Sequence, residues 1–372
     1  MSVVIAVDSF KGSLPAAAAA QALAEGWRRA LPATDLRLLP MADGGEGTLD
    51  AFAATVPGAR RIPVRVTGPA GSPIDAAWLL LPPTPRAPAG TAVVELAATS
   101  GIELLGTALR PLDAGTRGVG HAIAAALDAG VSRVVVGIGS SASTDGGAGL
   151  LQALGADLTD AAGTAIADGG RGLAALAAVD LTGLRPMPDG GVTVLTDVRN
   201  PLLRADGAAA VFGPQKGATP AEIRMLDDAL ARWAALSGVD PRTPGAGAAG
   251  GAGYGLLVWG AILQPGASAV GELIGLEQAV AAASVVITGE GAFDGQSSAG
   301  KVPGHVAALA AAQGVPVLLV AGRIAPDAAT DAFAHTVSLT ELAGGTAGAM
   351  RDPRRWLRAA GESLARRTMG TS

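Results

Sequence analysis

Short runs of consecutive apolar residues alternate along the chain with longer alanine-rich segments. Residues 3–7 (VVIAV) and 315–322 (VPVLLVAG) are such runs and predict buried strands. Residues 14–30, with Pro15 in the first turn and Ser13 as N-cap, predict a helix. Strands that alternate with helices predict a mostly parallel sheet, because parallel strands need crossover connections. The order of strand and then helix recurs at residues 36–55, 133–155 and 284–314.

The middle of the chain has a different pattern. Residues 62–69 (IPVRVTGP) and 75–81 (DAAWLLL) flank a Gly-Pro turn and predict antiparallel strands. This change of pattern predicts an inserted domain with a mixed sheet. We therefore expect an α/β protein of two domains, the first formed by residues 1–61 and 285–372 and the second by residues 62–284.

The composition limits the kinds of ligand and the cellular location that we expect. The 372-residue chain has a net charge of −5, no cysteine and three histidines, which excludes disulfides and disfavours a histidine-rich metal site. An aromatic content of 3% and the lack of Lys/Arg clusters disfavour nucleic-acid binding. No apolar run approaches the roughly 18 residues of a membrane span, and the first residues lack a signal-peptide pattern. We expect a cytoplasmic protein with a small-molecule substrate and no membrane partner.

Acidic residues and glycines follow the predicted strands, where loops lead into helices. In α/β sheets, ligands bind beyond the carboxyl ends of the strands, and carboxylates beside glycine N–H groups suit phosphates bridged by Mg²⁺. Asp and Gly are also ordinary residues of turns and helix caps. Their recurrence near Lys11, Lys216 and Lys301 favours a phosphoryl-transfer site. The loops contain Asp8 and Ser9; Asp43, Gly44 and Glu46; Ser140 and Asp145; Asp197 and Asn200; and Glu290 and Asp294.

Two glycine-rich segments match nucleotide-binding patterns only in part. Residues 245–250 (GAGAAG) follow DPRTP rather than a strand, so we expect no dinucleotide site there. Residues 295–302 (GQSSAGKV) end in Val302, where a P-loop needs Ser or Thr to hold Mg²⁺. Lys301, just before a predicted helix, remains a candidate phosphate contact, with a solvated helix-end charge as the alternative.

Lys216 lies in the segment FGPQKGAT, residues 212–219. Thr219 and Glu222 have the spacing of a capping box, which gives the end of this segment a structural role. Lys216 has no such role in the sequence pattern. Substrate or phosphate binding and a plain surface lysine are the two alternatives.

Seven segments occur in order between about residues 3 and 322: DSFKGS, ADGGEGT, GIGSSASTDGGAGLLQALGA, TDVRNPL, VFGPQKGAT, GAGAAGG and ITGEGAFDGQSSAGK. Together they resemble the motifs of the type I glycerate kinase family, bacterial enzymes that phosphorylate glycerate with ATP. The resemblance implies a flavodoxin-like, doubly wound parallel sheet built from both chain ends, an inserted α/β domain and an active site in the cleft. It also implies transfer of the γ-phosphoryl from MgATP to the 2-hydroxyl of D-glycerate.

Phosphoryl transfer depends on positioning and on neutralising phosphate charge, which gives these loops their expected roles. Asp197 and Asp294 are expected to hold Mg²⁺ or to accept the substrate proton. The expected catalytic residues are Lys11, Asp43, Asp197 and Asp294. The expected substrate and nucleotide contacts are Asp8, Ser9, Gly44, Glu46, Ser140, Asp145, Asn200, Lys216, Glu290 and Lys301. We expect ATP and D-glycerate as small-molecule partners of a monomer or homodimer.

One departure from the family pattern bears on the site. Ala292 stands where relatives carry Arg in GEGRxDGQS, so either another base compensates or that Arg is not catalytic. The alternative functions are a glycerate 3-kinase, a kinase of another small hydroxy acid, and a non-catalytic sensor of an anionic metabolite. Release of ADP that needs both Mg²⁺ and D-glycerate separates a kinase from a sensor.

Overall fold

The computed structural model describes residues 1–295 and 301–369. The strands are β1 (Ser2–Val7), β2 (Asp35–Leu38), β3 (Arg60–Thr67), β4 (Pro73–Leu81), β5 (Thr91–Glu95), β6 (Arg133–Gly137), β7 (Asp157–Thr159), β8 (Ala178–Asp180), β9 (Val192–Leu195), β10 (Ile262–Gln264), β11 (Val285–Phe293), β12 (Val317–Ile324) and β13 (His335–Ser338).

The helices are α1 (Ala16–Ala30), α2 (Thr48–Thr55), α3 (Leu96–Ser100), α4 (Arg117–Asp128), α5 (Ala148–Ala153), α6 (Gly169–Ala174), α7 (Ala208–Phe212), α8 (Pro220–Ser237), α9 (Ala252–Trp259), α10 (Gly266–Ile274), α11 (Leu276–Ala281), α12 (Val302–Ala312), α13 (Leu339–Leu342), α14 (Thr346–Arg351) and α15 (Pro353–Met369). In the described part of the chain, no helix is both long enough and apolar enough to span a bilayer.

The chain divides into two compact units. One consists of Met1–Asp43, Asp50–Pro57 and Pro265–Ser372, and the other of Gly44–Leu49 and Gly58–Gln264. The first unit is therefore assembled from both ends of the chain. The exact domain bounds expected from the sequence stay a prediction.

The sheet of the first unit has five parallel strands in the order β13-β12-β11-β1-β2. Val3 pairs with Val285, and Val7 pairs with Gly289, so the two chain ends meet in the middle of this sheet. Counted along this unit alone and read from β2, the order is 2-1-3-4-5, which is the flavodoxin-like order. The predicted fold class is confirmed for this unit. In such sheets ligands bind where the order reverses, which here is between β1 and β11.

The first unit buries one face of β1 against two helices. Val3, Ile5 and Val7 alternate along the strand and share a core cluster with residues of α1 and α15. The helix α1 begins at Ala16, after Pro15 at the N-cap. The prediction of Ser13 as N-cap is wrong, because its hydroxyl donates to the carbonyl of Phe10 (2.7 Å) and holds the preceding turn instead.

The sheet of the second unit has six strands in the order β10-β9-β6-β5-β4-β3. The strands β10, β9, β6 and β5 pair in parallel. The strand β4 pairs antiparallel with both of its neighbours, β5 and β3. A second sheet pairs β7 with β8. The buried rings of Trp78, Trp233 and Tyr254 belong to the core of this unit. The predicted mixed sheet, including the antiparallel strands near residues 62–81, is confirmed.

Candidate active site

Carboxylates of the first unit gather where β1 and β11 end. Asp8 and Ser9 follow β1, Asp43 follows β2, and Glu290 lies near the end of β11, buried. The N–H of Ser9 donates to Oδ1 of Asp8 (2.6 Å). Burial, together with the negative charges of Asp43 and Glu290, raises the pKa of Asp8 well above its ordinary value. The acidic groups thus lie at the ligand-binding end of the sheet.

The other expected site residues of the first unit lie in loops at β1 and β11. Lys11 is exposed in the turn after β1. Its backbone passes close to Gly291, where a Cβ would lie 3.0 Å from the backbone nitrogen of Lys11. Asp294 directly follows β11 and is half-buried. Lys301 occupies the N-cap position of α12. Within the P-loop-like segment, residues 296–300 lie outside the described residues.

In the second unit, the loop of residues 44–49 is docked on the carboxyl ends of β6 and β9. Gly44 has a φ of +95°, and a Cβ there would lie 2.6 Å from the carbonyl oxygen of Leu195, the last residue of β9. The N–H of Gly139, just after β6, donates to the carbonyl of Gly44 (3.0 Å). Glycine is required at position 44 by both the positive φ and the close approach. The loop thereby brings Glu46 to this edge of the sheet.

A pocket of about 210 Å³ lies at the same edge of the second unit. Its lining includes Glu46, Glu95, Glu103 and Ser140. Ser140 has a φ of +58°, a conformation that few non-glycine residues adopt, and its carbonyl accepts the N–H of Ile102 (2.9 Å). Two of the expected site residues, Glu46 and Ser140, are thus brought to one pocket by loops that lie far apart in the sequence.

Glu95 is a residue of this pocket that the sequence reasoning missed. It is the last residue of β5, and its side chain is buried. Its carboxylate accepts the N–H of Leu49 (2.9 Å) and the N–H of Gly47 (3.3 Å). Glu95 therefore ties the loop that carries Glu46 to the end of β5. The only sequence signal for it is an acidic residue at the end of an apolar strand.

Asp145 is fully buried in the loop between β6 and α5. Its Oδ2 accepts hydrogen bonds from the N–H (2.9 Å) and the hydroxyl (2.7 Å) of Thr116, and its Oδ1 accepts from the N–H of Gly147 (3.2 Å). Burial raises the pKa of Asp145, and these hydrogen bonds oppose the rise. Asp145 thus holds the loop to the start of α4 from inside the protein.

Lys216 is buried as well, at 2% exposure, so the surface-lysine alternative is wrong. Its ammonium donates to Oγ of Ser141 (2.8 Å) and to the carbonyl of Ser143. Burial lowers the pKa of Lys216 to about 7, and the charge of Asp145 opposes this shift. The neighbouring capping box, Thr219 with Glu222, is present as predicted.

Asp197 and Asn200 lie in the segment after β9. Asp197 is half-buried two residues beyond Leu195, so it shares the carboxyl edge of the sheet with Glu95 and Ser140. The side-chain amide of Asn200 donates to the carbonyl of Asp206 (2.8 Å) and closes its own loop. The strands β5, β6 and β9 are neighbours, so one sheet edge collects all the expected acidic and hydroxyl residues that follow them.

The comparison with known proteins decides the family. A family model described as the glycerate kinase family matches residues 3–369. The chain belongs to the glycerate kinase family. It is 44% identical over 335 residues to a glycerate kinase of Bacillus subtilis (strain 168), and 43% identical over 335 residues to a glycerate 2-kinase of Escherichia coli (strain K12). Each alignment covers 88% of this chain and 86% of the relative.

A solved structure agrees with this assignment. A crystal structure from Salmonella typhimurium LT2, provisionally named glycerate kinase 2, has a TM-score of 0.84 and 40% sequence identity. The superposition covers 100% of this chain and 99% of the other. As a member of the glycerate kinase family, the chain is a phosphotransferase with an alcohol group as acceptor.

The strand register of this chain places an arginine beside Ala292. Ala292 pairs in register with Arg323 of the adjacent strand β12, and Arg323 is exposed. Paired residues of neighbouring parallel strands lie about 4.8 Å apart and point to the same face of the sheet. Arg323 is therefore the basic residue nearest in register to the position where the family pattern has Arg.

The described residues do not form a complete metal site. Among residues 1–295 and 301–369, no group of three or more acidic or histidine side chains is arranged to hold a metal. Mg²⁺ in kinases is usually bound by one or two carboxylates together with substrate phosphates, so a complete protein cage is not needed. Asp197, in the second unit, and Asp294, in the first, each offer the carboxylate oxygens that such binding uses.

Proposed function

We propose that this protein transfers the γ-phosphoryl group of ATP to the 2-hydroxyl of D-glycerate, giving 2-phosphoglycerate. The observation that carries the proposal is the similarity to relatives named glycerate kinase and glycerate 2-kinase, which extends over most of the chain. Acidic loops at the carboxyl ends of the parallel strands in both units support it, since phosphoryl transfer needs carboxylates, basic side chains and backbone donors in such loops.

The residues have separate tasks in this proposal. Asp197 and Asp294 would hold Mg²⁺, which neutralises phosphate oxygens when it is bound. Lys11 and Lys301 contact phosphate oxygens from exposed and half-buried positions in the first unit. Asp8 accepts the proton of the substrate hydroxyl, because its raised pKa makes it a stronger base than an ordinary aspartate.

The remaining expected residues shape the two edges. Asp43 and Glu290 act electrostatically on Asp8 and maintain its high pKa. The contacts to substrate or nucleotide come from Ser9, Gly44, Glu46 and Ser140. Contacts that hold the surrounding loops come from Asn200, Asp145 and Lys216. The shared cleft, the cytoplasmic location and the monomeric or homodimeric state stay predictions from the sequence.

A coupled assay and phosphorus NMR test the proposal. We expect ADP release that requires both Mg²⁺ and D-glycerate, and a product spectrum of 2-phosphoglycerate. Replacing Asp294 with Asn should lower kcat by about 100-fold or more with the fold retained. A 3-phosphoglycerate product would favour the glycerate 3-kinase, and turnover only with another hydroxy acid would favour a different substrate. Stabilisation by D-glycerate without turnover would favour a sensor.

A further inference from the structure

The loop between β6 and α5 buries more polar groups than it satisfies by itself. Ser141, Ser143, Thr144 and Asp145 are all buried. Among the described residues, the hydroxyls of Ser143 and Thr144 have no hydrogen-bond partner. Buried polar groups without partners destabilise the conformation that contains them. The loop therefore depends on its remaining contacts from outside.

Lys216 supplies contacts of this kind, from a turn more than 70 residues away in the sequence. Its ammonium is bound to the Ser141 hydroxyl and to the Ser143 carbonyl, so a single side chain holds two residues of the loop. Hydrogen bonds with a charged donor are roughly twice as strong as neutral ones. The Lys216 ammonium is buried, and hydrogen bonds in the protein interior are electrostatically stronger than in water.

The segment of residues 248–251 (AAGG) passes beside the same ammonium at Gly250. A Cβ on Gly250 would lie 2.8 Å from Nζ of Lys216 and would collide with the Ser143 carbonyl. The N–H of Gly146 donates to the carbonyl of Gly250 (3.1 Å), which joins this segment to the loop. Lys216 thus sits where two loops meet, in space that a side chain at position 250 would occupy.

The loop held by Lys216 also forms one wall of the pocket. Ser140, which lines the pocket, is bonded covalently to Ser141, the residue that Lys216 contacts. The N–H of Ala142 donates to the carbonyl of Ser100 (3.1 Å). Gly101, another residue that lines the pocket, pairs with Ser141 in an isolated antiparallel β-bridge. A shift of Ser141 would move this wall.

We propose that Lys216 is a positioning residue, which holds the loop of residues 140–147 and thereby fixes Ser140 in the pocket without touching substrate. This inference rests on the proposed function for its activity readout. A lysine bound to a serine hydroxyl also resembles a nucleophilic dyad. The bond to the Ser143 carbonyl, the burial of Ser141 and the enclosure by Gly250 favour the positioning role.

The test compares three variants of the full-length protein. Lys216→Met removes the charge and both contacts, whereas Ser141→Ala removes one contact and keeps the Ser143 bond. Leu158→Ala, in the buried core of β7, is the control for a loss of stability alone. The readouts are kcat and KM against pH and hydrogen exchange of the peptide containing residues 140–147.

We expect Lys216→Met to lower kcat/KM by about 30-fold or more, and Ser141→Ala by about 3- to 10-fold. The wild-type pH profile should contain a step near pH 7 that Lys216→Met lacks, because burial lowers the pKa of Lys216 to about 7 and the charge of Asp145 is the one that acts on this amine. Exchange of the loop should be faster in Lys216→Met than in Leu158→Ala, which keeps wild-type kcat.

Two results would overturn the proposal. Equal loss in Ser141→Ala and Lys216→Met would assign the pair to a reacting dyad. Unchanged loop exchange in Lys216→Met would show that the lysine does not hold the loop. A wild-type protein without glycerate-dependent ADP release refutes the proposed function alone, because the exchange comparison still decides the role of Lys216.

Discussion

Replacing Glu95 with Gln tests the most specific structural claim about the pocket. The carboxylate of Glu95 accepts the N–H of Leu49 with one oxygen and the N–H of Gly47 with the other. Glutamine keeps the size of the side chain but offers a single acceptor oxygen and turns an NH₂ group toward the second N–H. One of the two hydrogen bonds is lost, and the other keeps a neutral amide oxygen as its acceptor in place of a charged carboxylate oxygen.

The magnitude follows from the strength of such bonds. A hydrogen bond to a charged group contributes about 1.5–3 kcal/mol, and a neutral one about 1 kcal/mol. Losing one such bond and making the other neutral should therefore lower the free energy of unfolding by about 2–5 kcal/mol. If about 2 kcal/mol of this loss falls on the catalytic conformation of the 44–49 loop, kcat/KM decreases by about 30-fold.

Urea unfolding and a coupled ADP assay measure the two effects. Glu103→Gln is the matched control, because Glu103 lines the same pocket but is exposed. The control should unfold with the free energy of the wild type. If Glu95→Gln also unfolds like the wild type and keeps its kcat/KM, then Glu95 does not hold the loop and the reasoning fails.

Three further changes test separate parts of the site. Asp8→Asn should raise the free energy of unfolding at pH 8, because a carboxylate whose pKa is raised by folding destabilises the folded state when it is ionised. The same variant should lower kcat by about 100-fold; urea unfolding measures the first effect and the ADP assay the second. Between pH 7 and 9, Lys216 should add at most about 1.4 kcal/mol per pH unit to the free energy of unfolding, since the unfolded chain keeps that proton up to about pH 10.5. The difference in this pH dependence between the wild type and Lys216→Met, measured by urea unfolding, should show that contribution. Gly44→Ala should cost about 2–4 kcal/mol, through its positive φ and its collision with Leu195, whereas Gly47→Ala, with open space around it, should cost only about 1 kcal/mol in the same unfolding assay.

Local patterns were sufficient for the elements and for the fold class. The apolar run of β1, the strand and helix within residues 36–55, and the capping box at Thr219 are set by neighbouring residues, and the structure contains all three. The N-cap of α1 was predicted wrongly, because Ser13 finds an acceptor in its own turn. Short-range competition of this kind is invisible in a pattern of residue types.

The candidate site was harder to predict, because its parts meet only through the sheet. Strand order brings the ends of β5, β6 and β9 to one edge, and the 44–49 loop docks there through Gly44. The glycines and acids of that loop were visible in the sequence. Glu95 was not, since nothing near it in the chain distinguishes it from an ordinary strand-end residue. Its function depends on the donors of a loop almost 50 residues earlier.

Strand register also bears on Ala292. The sequence pattern shows only that a guanidinium is missing from position 292, which leaves open whether another base replaces it. Pairing of β11 with β12 sets Arg323 directly beside Ala292, on the same face of the sheet. Asp294 and Glu290, two residues on either side of Ala292, lie along that strand end. The basic residue paired with position 292 therefore comes from the neighbouring strand, at a sequence distance that no local motif can span.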